Sequence, residues 1–402
     1  MKPIKINATG CALMDYIYPD LSFNSPEFRK YLSIRDGDGG LAPGKLVFAE
    51  EIEKFSHNDI HQIINDLNGS VSPISSNIGG PGIVSIINAA QLLGQNAEIK
   101  FFGAIGKDKI AKQFLELLNR TPISSGNFKE TEGITAFTDV LVDSKYDQGH
   151  GERCFINNIG ASGFYSPDLL PDHFFDADIV VFGGTALVPL IHDHLDELLR
   201  KAKEKNSFTI VNTVYDFRSE KNNPGKPWPL ADGRNIDLLI MDFEESLRIS
   251  GTNSAYKARE FFINSGVGGL IITNGPHEIL LYSKDDISPG ERMKSFAVSI
   301  LVKEMIENGI FKGDTTGCGD NFCGGVIYSV ASQLRKSKKA YPDLKEAIVW
   351  GVAAGGFTCS YKGGCYFEKQ SGEKKQALEK IVQSYRMQTG IFSGQYFINS
   401  EH

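Results

Sequence analysis

Four short and almost uninterrupted apolar runs, IVVFGG, FTIVNTV, IDLLIM and GLIIT, recur between residues 179 and 273, with helix-patterned segments between them. A strand covered on one face alternates apolar with polar residues, so runs this continuous belong to strands buried on both faces. The intervening segments carry the other period: Ile191, Leu195, Leu198, Leu199 and Ala202 fall on one helical face. Strands alternating with helices build parallel, doubly wound sheets, because a parallel partner is reached only by a crossover. The same pattern opens the chain. A strand over Ile4–Ala8 breaks at Gly10, a helix presents Ile83, Ile86, Ile87 and Ala90 on one face, and the strand-like EIKFFGAIG leads into a helix around Ile110–Leu118. The expected fold class is α/β, a three-layer α/β/α sandwich with a mostly parallel central sheet.

Two stretches interrupt this pattern. Residues 16–76 are dense in Asp, Ser, Asn, Pro and Gly, including the turn-rich RDGDGGLAPGK. Residues 134–165 hold ITAFTDVLV and RCFINNI, which read as antiparallel strands around KYDQGHGE. Residues 16–76 and 134–165 are expected to pair into a small β-rich lid on a core made of 1–15, 77–133 and 166–402. A lid of this kind leaves a homodimer through the lid open.

Charge and cysteines narrow the function classes. The net charge is −7 with no Lys/Arg-rich block, which argues against nucleic acid or a membrane surface as partner. Six cysteines form no CxxC pair and no His-linked zinc spacing, and read as free thiols of a reducing compartment. The opening MKPIKINATG lacks a signal-peptide apolar region, and no apolar run approaches membrane-spanning length. The expected address is cytoplasmic.

The stretch GDTTGCGDNFCGGVIYSV, residues 313–330, carries the chemistry. The turn Gly317-Cys318-Gly319 runs into Asp320 and then a helix with Phe322, Val326 and Val330 on one face. Unpaired N–H groups at a helix N-terminus, flanked by glycines that permit close approach, form a site for anions. Asp320 lies in the first turn, where the helix dipole favours its ionised form. A carboxylate beside such a cradle is what phosphoryl transfer to an alcohol requires: the N–H groups hold charge on the transferred group and the carboxylate takes the hydroxyl proton. Asn212 and Asp216 follow the strand FTIVNTV, at the end where open α/β sheets bind ligands. They are read as candidates for lining the cleft.

This stretch resembles DTxGAGDxF, a signature of the ribokinase-like (PfkB) carbohydrate kinases, with Cys318 where Ala is commonest. The resemblance extends over roughly residues 4–15 and 77–365. Gly79-Gly80, opening a helix, is similar to that family's sugar-binding glycine pair, and FFGAIGKDKIAKQF to its FxGxVGxDxxG segment. GASGFYSPDLL is similar to the stretch that leaves the lid, and ITNGPHEILLY to VTxGxxG on the nucleotide side. The resemblance implies ATP and Mg²⁺ as cofactors and a small sugar-like substrate. It implies Asp320 as base, the backbone of Gly317, Cys318 and Gly319 as anion hole, and Asp15, Gly79 and Gly80 against the sugar. It further implies Thr273 and Gly275 in the nucleotide loop, and Asp314 and Thr316 as backbone positions for K⁺ in potassium-activated members.

Three departures qualify it. The metal-organising NxxE appears as Asp242-Phe243-Glu244-Glu245, so Asp242 and Glu245 are expected to hold Mg²⁺ through water. The Asn expected after the glycine pair is Val84, and the one expected two residues before Asp15 is Leu13. Ribose itself is therefore not the expected acceptor. A nucleoside kinase of the same fold, and a ligand-binding regulator without turnover, stand as alternatives.

Three other patterns are read as structural. GGLAPGKL, residues 39–46, fits GxxxxGK but lacks the Ser or Thr after Lys45 and a buried strand before it, and reads as a lid turn. His192 and His194, two apart in a helix, face different directions. Trp228 reads as loop packing.

Overall fold

The apolar runs form the middle of a nine-stranded sheet in the computed structural model, which describes residues 1–391 except 36, 70–71, 150, 226–227, 229–232, 286–292 and 338–340. Fourteen strands are numbered in chain order. They are β1 Ile4–Gly10, β2 Leu13–Tyr18, β3 Leu46–Phe48, β4 Ser75–Gly79, β5 Ala97–Ile105, β6 Phe128–Glu130 and β7 Phe137–Asp143, then β8 Glu152–Asn158, β9 Ile179–Gly183, β10 Phe208–Asn212, β11 Leu238–Asp242, β12 Gly269–Thr273, β13 Glu278–Ser283 and β14 Lys294–Ala297. The large sheet runs β14-β13-β12-β11-β10-β9-β1-β5-β6. Every pairing from β12 through β1 to β6 is parallel, and β13 and β14 close one edge as antiparallel strands.

Successive residues of each central strand serve opposite layers, which is why the runs are continuously apolar. Ile179 and Val181 pack with the helices Pro81–Leu93, Cys318–Lys336, Leu344–Thr358 and Glu373–Thr389, whereas Val180 and Phe182 pack with Leu195, Leu198, Leu199 and Phe262 on the other face. This is the three-layer α/β/α sandwich expected. The carboxyl ends of β1, β9, β10, β11 and β12 place Gly10, Gly183, Asn212, Asp242 and Thr273 along one edge.

A second, five-stranded sheet, β3-β8-β7-β2-β4, stands above that edge. Only Cys11 and Ala12 separate β1 from β2, so the chain passes from one sheet to the other in a single step. β2 starts at Leu13 and β4 runs to Gly79, so the small sheet crosses the expected boundaries at 15/16 and 76/77. The expectation of a β-rich excursion needs a correction as well. Among the described residues between β2 and β4, the one strand is the short β3, alongside the helices Pro26–Arg29, Ala49–Ser56 and Ile60–Asn68. Their apolar residues Ile52, Ile63 and Ile64 join Phe23, Phe28 and Tyr31 over Tyr18, Leu141, Cys154 and Ile156 on one face of the sheet. That face of the small sheet is covered by the chain's own helices. Lys45 closes a turn on the carbonyl of Ala42, as read for GGLAPGKL, and Trp228 is buried against Tyr215.

Candidate active site

The turn Gly317-Cys318-Gly319 is a helix N-terminus with open amides. Gly317 is the N-cap in the left-handed region, φ 76°, which a residue with a Cβ rarely adopts, and the helix begins at Cys318. The amide of Cys318 returns to the carbonyl of Thr315 and that of Asn321 to Gly317. Between them, the N–H groups of Gly319 and Asp320 have no hydrogen-bond partner among the described residues. Gly319 is exposed, and a Cβ there would meet nothing within 4 Å. Two unsatisfied donors at the positive end of a 19-residue helix make a cradle for an anion.

Asp320 stands in the first turn of this helix, and burial pushes its carboxyl up to about 6. Asp15 faces the same space from β2, where it is paired with Asn77 of β4 and Thr138 of β7. It is buried, and burial followed by the charges of Asp320 and Asp314 pushes it up to about 8. Asp15 therefore belongs to the lid sheet rather than to the edge of the first strand. Gly79 lies directly beneath it, and a Cβ at that position would overlap the Asp15 carboxylate. Gly80, φ 100°, caps the Pro81–Leu93 helix.

Asp242 and Glu245 close a capping box. The Asp242 carboxylate accepts from the Glu245 amide at 2.7 Å, and Glu245 Oε2 accepts from the Asp242 amide at 3.2 Å and from the Thr213 hydroxyl at 2.5 Å. Glu245 is buried; burial, then the Asp242 charge, raises its carboxyl to about 8. Asp242 is exposed and keeps one carboxylate oxygen outside the box. No three His, Cys, Asp or Glu among the described residues gather into a metal cage. One exposed carboxylate backed by a second fits a magnesium ion that keeps waters and substrate phosphates as its other ligands. Thr273 ends β12, and Gly275 turns the chain just beyond it with open space where a side chain would be. The Asp314 carboxylate accepts from the amides of Thr316 and Gly363, so it shapes its own loop.

Two of the sequence candidates take other roles. Asp216 offers no free carboxylate, because it N-caps the helix Phe217–Asn222 and accepts from Ser219 and His192. Those bonds outweigh the effect of burial and hold it at about 2. His192 is thus a helix-packing residue bridging Thr185 and Asp216, while His194 turns back to the carbonyl of Leu190. Asn212 is buried with its amide on the carbonyl of Pro81 and its oxygen unpartnered, so it braces the start of the Pro81–Leu93 helix.

Three further residues complete the site without any local signal in the sequence. Arg153 of β8 donates to Thr316 Oγ1 at 2.7 Å and to the Thr315 hydroxyl, tying the small sheet to the loop that leads into Gly317. Asn77 of β4 reaches the carbonyls of Lys362 and Cys365 and accepts from the Cys365 amide, fixing the loop behind Gly317. Lys374, almost wholly buried, donates to Asn321 Oδ1 at 2.8 Å, and the Asn321 amide in turn holds the carbonyls of Gly317 and Gly364.

The sequence profile of the pfkB family carbohydrate kinases matches residues 52–370. The chain belongs to this family. A probable chloroplastic fructokinase-6 of Arabidopsis thaliana is 23% identical over 76% of this chain and 75% of that protein. An adenosine kinase of Saccharomyces cerevisiae is 23% identical over 62% of this chain and 70% of its own. Among solved structures, a probable sugar kinase from Rhizobium etli superposes with a TM-score of 0.68 at 17% identity, covering 94% of this chain and 99% of that one. The adenosine kinase of Sinorhizobium meliloti superposes at 0.66 and 17%, covering 94% and 100%. As a pfkB kinase the protein is a phosphotransferase, with sugar and nucleoside kinases both among its relatives. No described helix is long and apolar enough to cross a membrane.

Proposed function

We propose that the protein transfers the γ-phosphate of ATP to a hydroxyl, a primary alcohol, of a sugar, sugar acid or sugar phosphate. The observation that carries this reading is the pair of unbonded amides at Gly319 and Asp320, beside the Asp320 carboxylate and with Asp15 above them. The Asp320 carboxylate takes the proton of the attacking hydroxyl, and its raised affinity for protons suits that task. The amides and the helix terminus hold the charge that develops on the transferred group, and Gly317 and Cys318 shape that turn. Asp15 accepts hydrogen bonds from neighbouring substrate hydroxyls and orients the ring, with Gly79 and Gly80 allowing it to lie close. Thr273 and Gly275 flank the nucleotide. Asp242, supported by Glu245, would hold Mg²⁺ through water, and the ion would supply neutralisation of phosphate charge. The backbone of Asp314 and Thr316 would hold K⁺ in the same loop. The exclusion of bulk water falls to Arg153, which keeps the lid on the anion-hole loop.

One observation keeps a nucleoside as the second reading. On the lid face that carries Asp15, Ile17, Val140 and Phe155 stand side by side. An apolar stripe with one aromatic ring suits the flat face of a base as well as that of a sugar. A thermal-shift screen with a non-hydrolysable ATP analogue separates the two, since a ligand of the native state raises its melting point. Polyols and sugar acids are expected to raise it. Stabilisation by nucleosides alone would select the second reading, and no response to either class would count against both.

A further inference from the structure

Cys318 sits in the anion hole, and its sulfur lies 3.8 Å from that of Cys359. The two come from separate elements. Cys318 begins the Cys318–Lys336 helix, and Cys359 caps the end of the Leu344–Thr358 helix. These helices approach closely enough to fix the pair in register: a Cβ at Gly355 would stand 2.9 Å from the carbonyl oxygen of Cys318, and Gly325 faces the backbone of Trp350. Both thiols are half-buried, and the exposed Gly319 adjoins Cys318. The four other cysteines, Cys11, Cys154, Cys323 and Cys365, are buried.

We propose that Cys318 and Cys359 form a thiol-modification site, a dithiol that low-molecular-weight disulfides convert to a disulfide beneath the anion hole. The Cys359 thiolate attacks one sulfur of the small disulfide, breaking its S–S bond and releasing one thiol. The Cys318 thiol then gives up its proton and attacks Cys359 Sγ in the mixed disulfide, releasing the second thiol. Two protein S–H bonds are exchanged for one S–S bond, and the oxidant is reduced to two thiols. The contact with the Cys318 thiol, aided by the Arg153 charge, lowers the affinity of Cys359 for its proton against the opposing effects of burial and Asp314, in keeping with Cys359 as the attacking group. Bond formation requires the sulfurs to close from 3.8 Å to about 2.05 Å. Cys318 is the first residue of its helix, so this movement pulls on the turn that aims the Gly319 and Asp320 amides. A single misdirected donor in such a cradle costs roughly 10²–10³ in turnover.

The consequence for turnover rests on the kinase reading above; the linkage itself does not. The test treats the full-length protein with glutathione disulfide over a range of glutathione ratios, then maps peptides without reduction. The expected result is a Cys318–Cys359 linked peptide, and a loss of turnover of at least about tenfold that a dithiol reductant reverses. Cys359→Ser is expected to keep its turnover under the same treatment. Glutathione adducts without the linked peptide, or another pair linked in preference, would overturn the site. Linkage without loss of turnover, or equal inhibition of Cys359→Ser, would overturn its link to the anion hole.

Discussion

At the scale of single residues, the site turns on carboxylates held away from their ordinary proton affinities. Asp15 is pushed up to about 8 by burial, then by Asp320 and Asp314, so in the free protein it is largely protonated at neutral pH. Accepting hydrogen bonds from two substrate hydroxyls favours the ionised form, so acceptor binding is expected to tighten as pH rises through about 8. Steady-state kinetics between pH 6.5 and 9, values spanning about one unit or more either side of that point, should show the acceptor KM falling. Asp15→Asn should flatten the profile and lower kcat/KM for the acceptor roughly 10²-fold, with the KM for ATP unchanged. Loss of ATP affinity with acceptor affinity intact would reverse the assignment of the two half-sites. The placement of Asp320 in the first turn of a helix was legible in the glycine turn before it, whereas Asp15 came only with the family resemblance, its strand β2 lying in the small sheet and not at the end of β1. The roles of Arg153, Asn77 and Lys374 were not legible, because each comes from partners between 53 and 288 positions away. Asp216 misled for the converse reason. Its position beyond a strand suits a ligand, but the residue is spent on capping the next helix.

At the scale of elements, continuous apolar runs identify the central strands well, since burial on both faces leaves little other explanation. The helices Ala49–Ser56 and Ile60–Asn68 escaped notice because turn-forming residues crowd around them and each is barely two turns long. The helix Glu373–Thr389 carries the next prediction. Burial lowers Lys374 from 10.5 to about 8. Between those values the unfolded chain binds more protons at this residue than the folded one, so its contribution to stability rises with pH. The stability of the wild type relative to Lys374→Met should therefore grow between pH 7 and pH 10, by on the order of 2–3 kcal/mol. Urea unfolding of both proteins at the two pH values measures it. A gap that stays constant or narrows would mean that Lys374 is solvated. In the lid, Lys45→Ala should leave the KM for ATP within about twofold, as expected of an exposed turn. A large rise would mark GGLAPGKL as a phosphate-binding loop.

At the scale of the whole molecule, the two sheets meet where β1 hands the chain to β2, and the site occupies that seam. The large sheet supplies the edge with Asp242 and Thr273, the helix layer supplies the amides and Asp320, and the lid supplies Asp15 and Arg153. Under the proposed function, the base stands on the helix layer and the acceptor carboxylate on the small sheet, so the reaction would need both parts held together as the Arg153–Thr316 bond holds them. The central claim is that phosphate leaves ATP for a substrate hydroxyl under the control of Asp320. The most direct measurement follows ADP release and phosphomonoester formation with ATP and Mg²⁺, across sugars, sugar acids and nucleosides, for the wild type and Asp320→Asn. The account predicts ADP and phosphomonoester in equal amounts, dependent on an acceptor, with kcat lower by roughly 10²–10⁴ in a folded Asp320→Asn. ADP release indifferent to every acceptor, or undiminished turnover in Asp320→Asn, would contradict it.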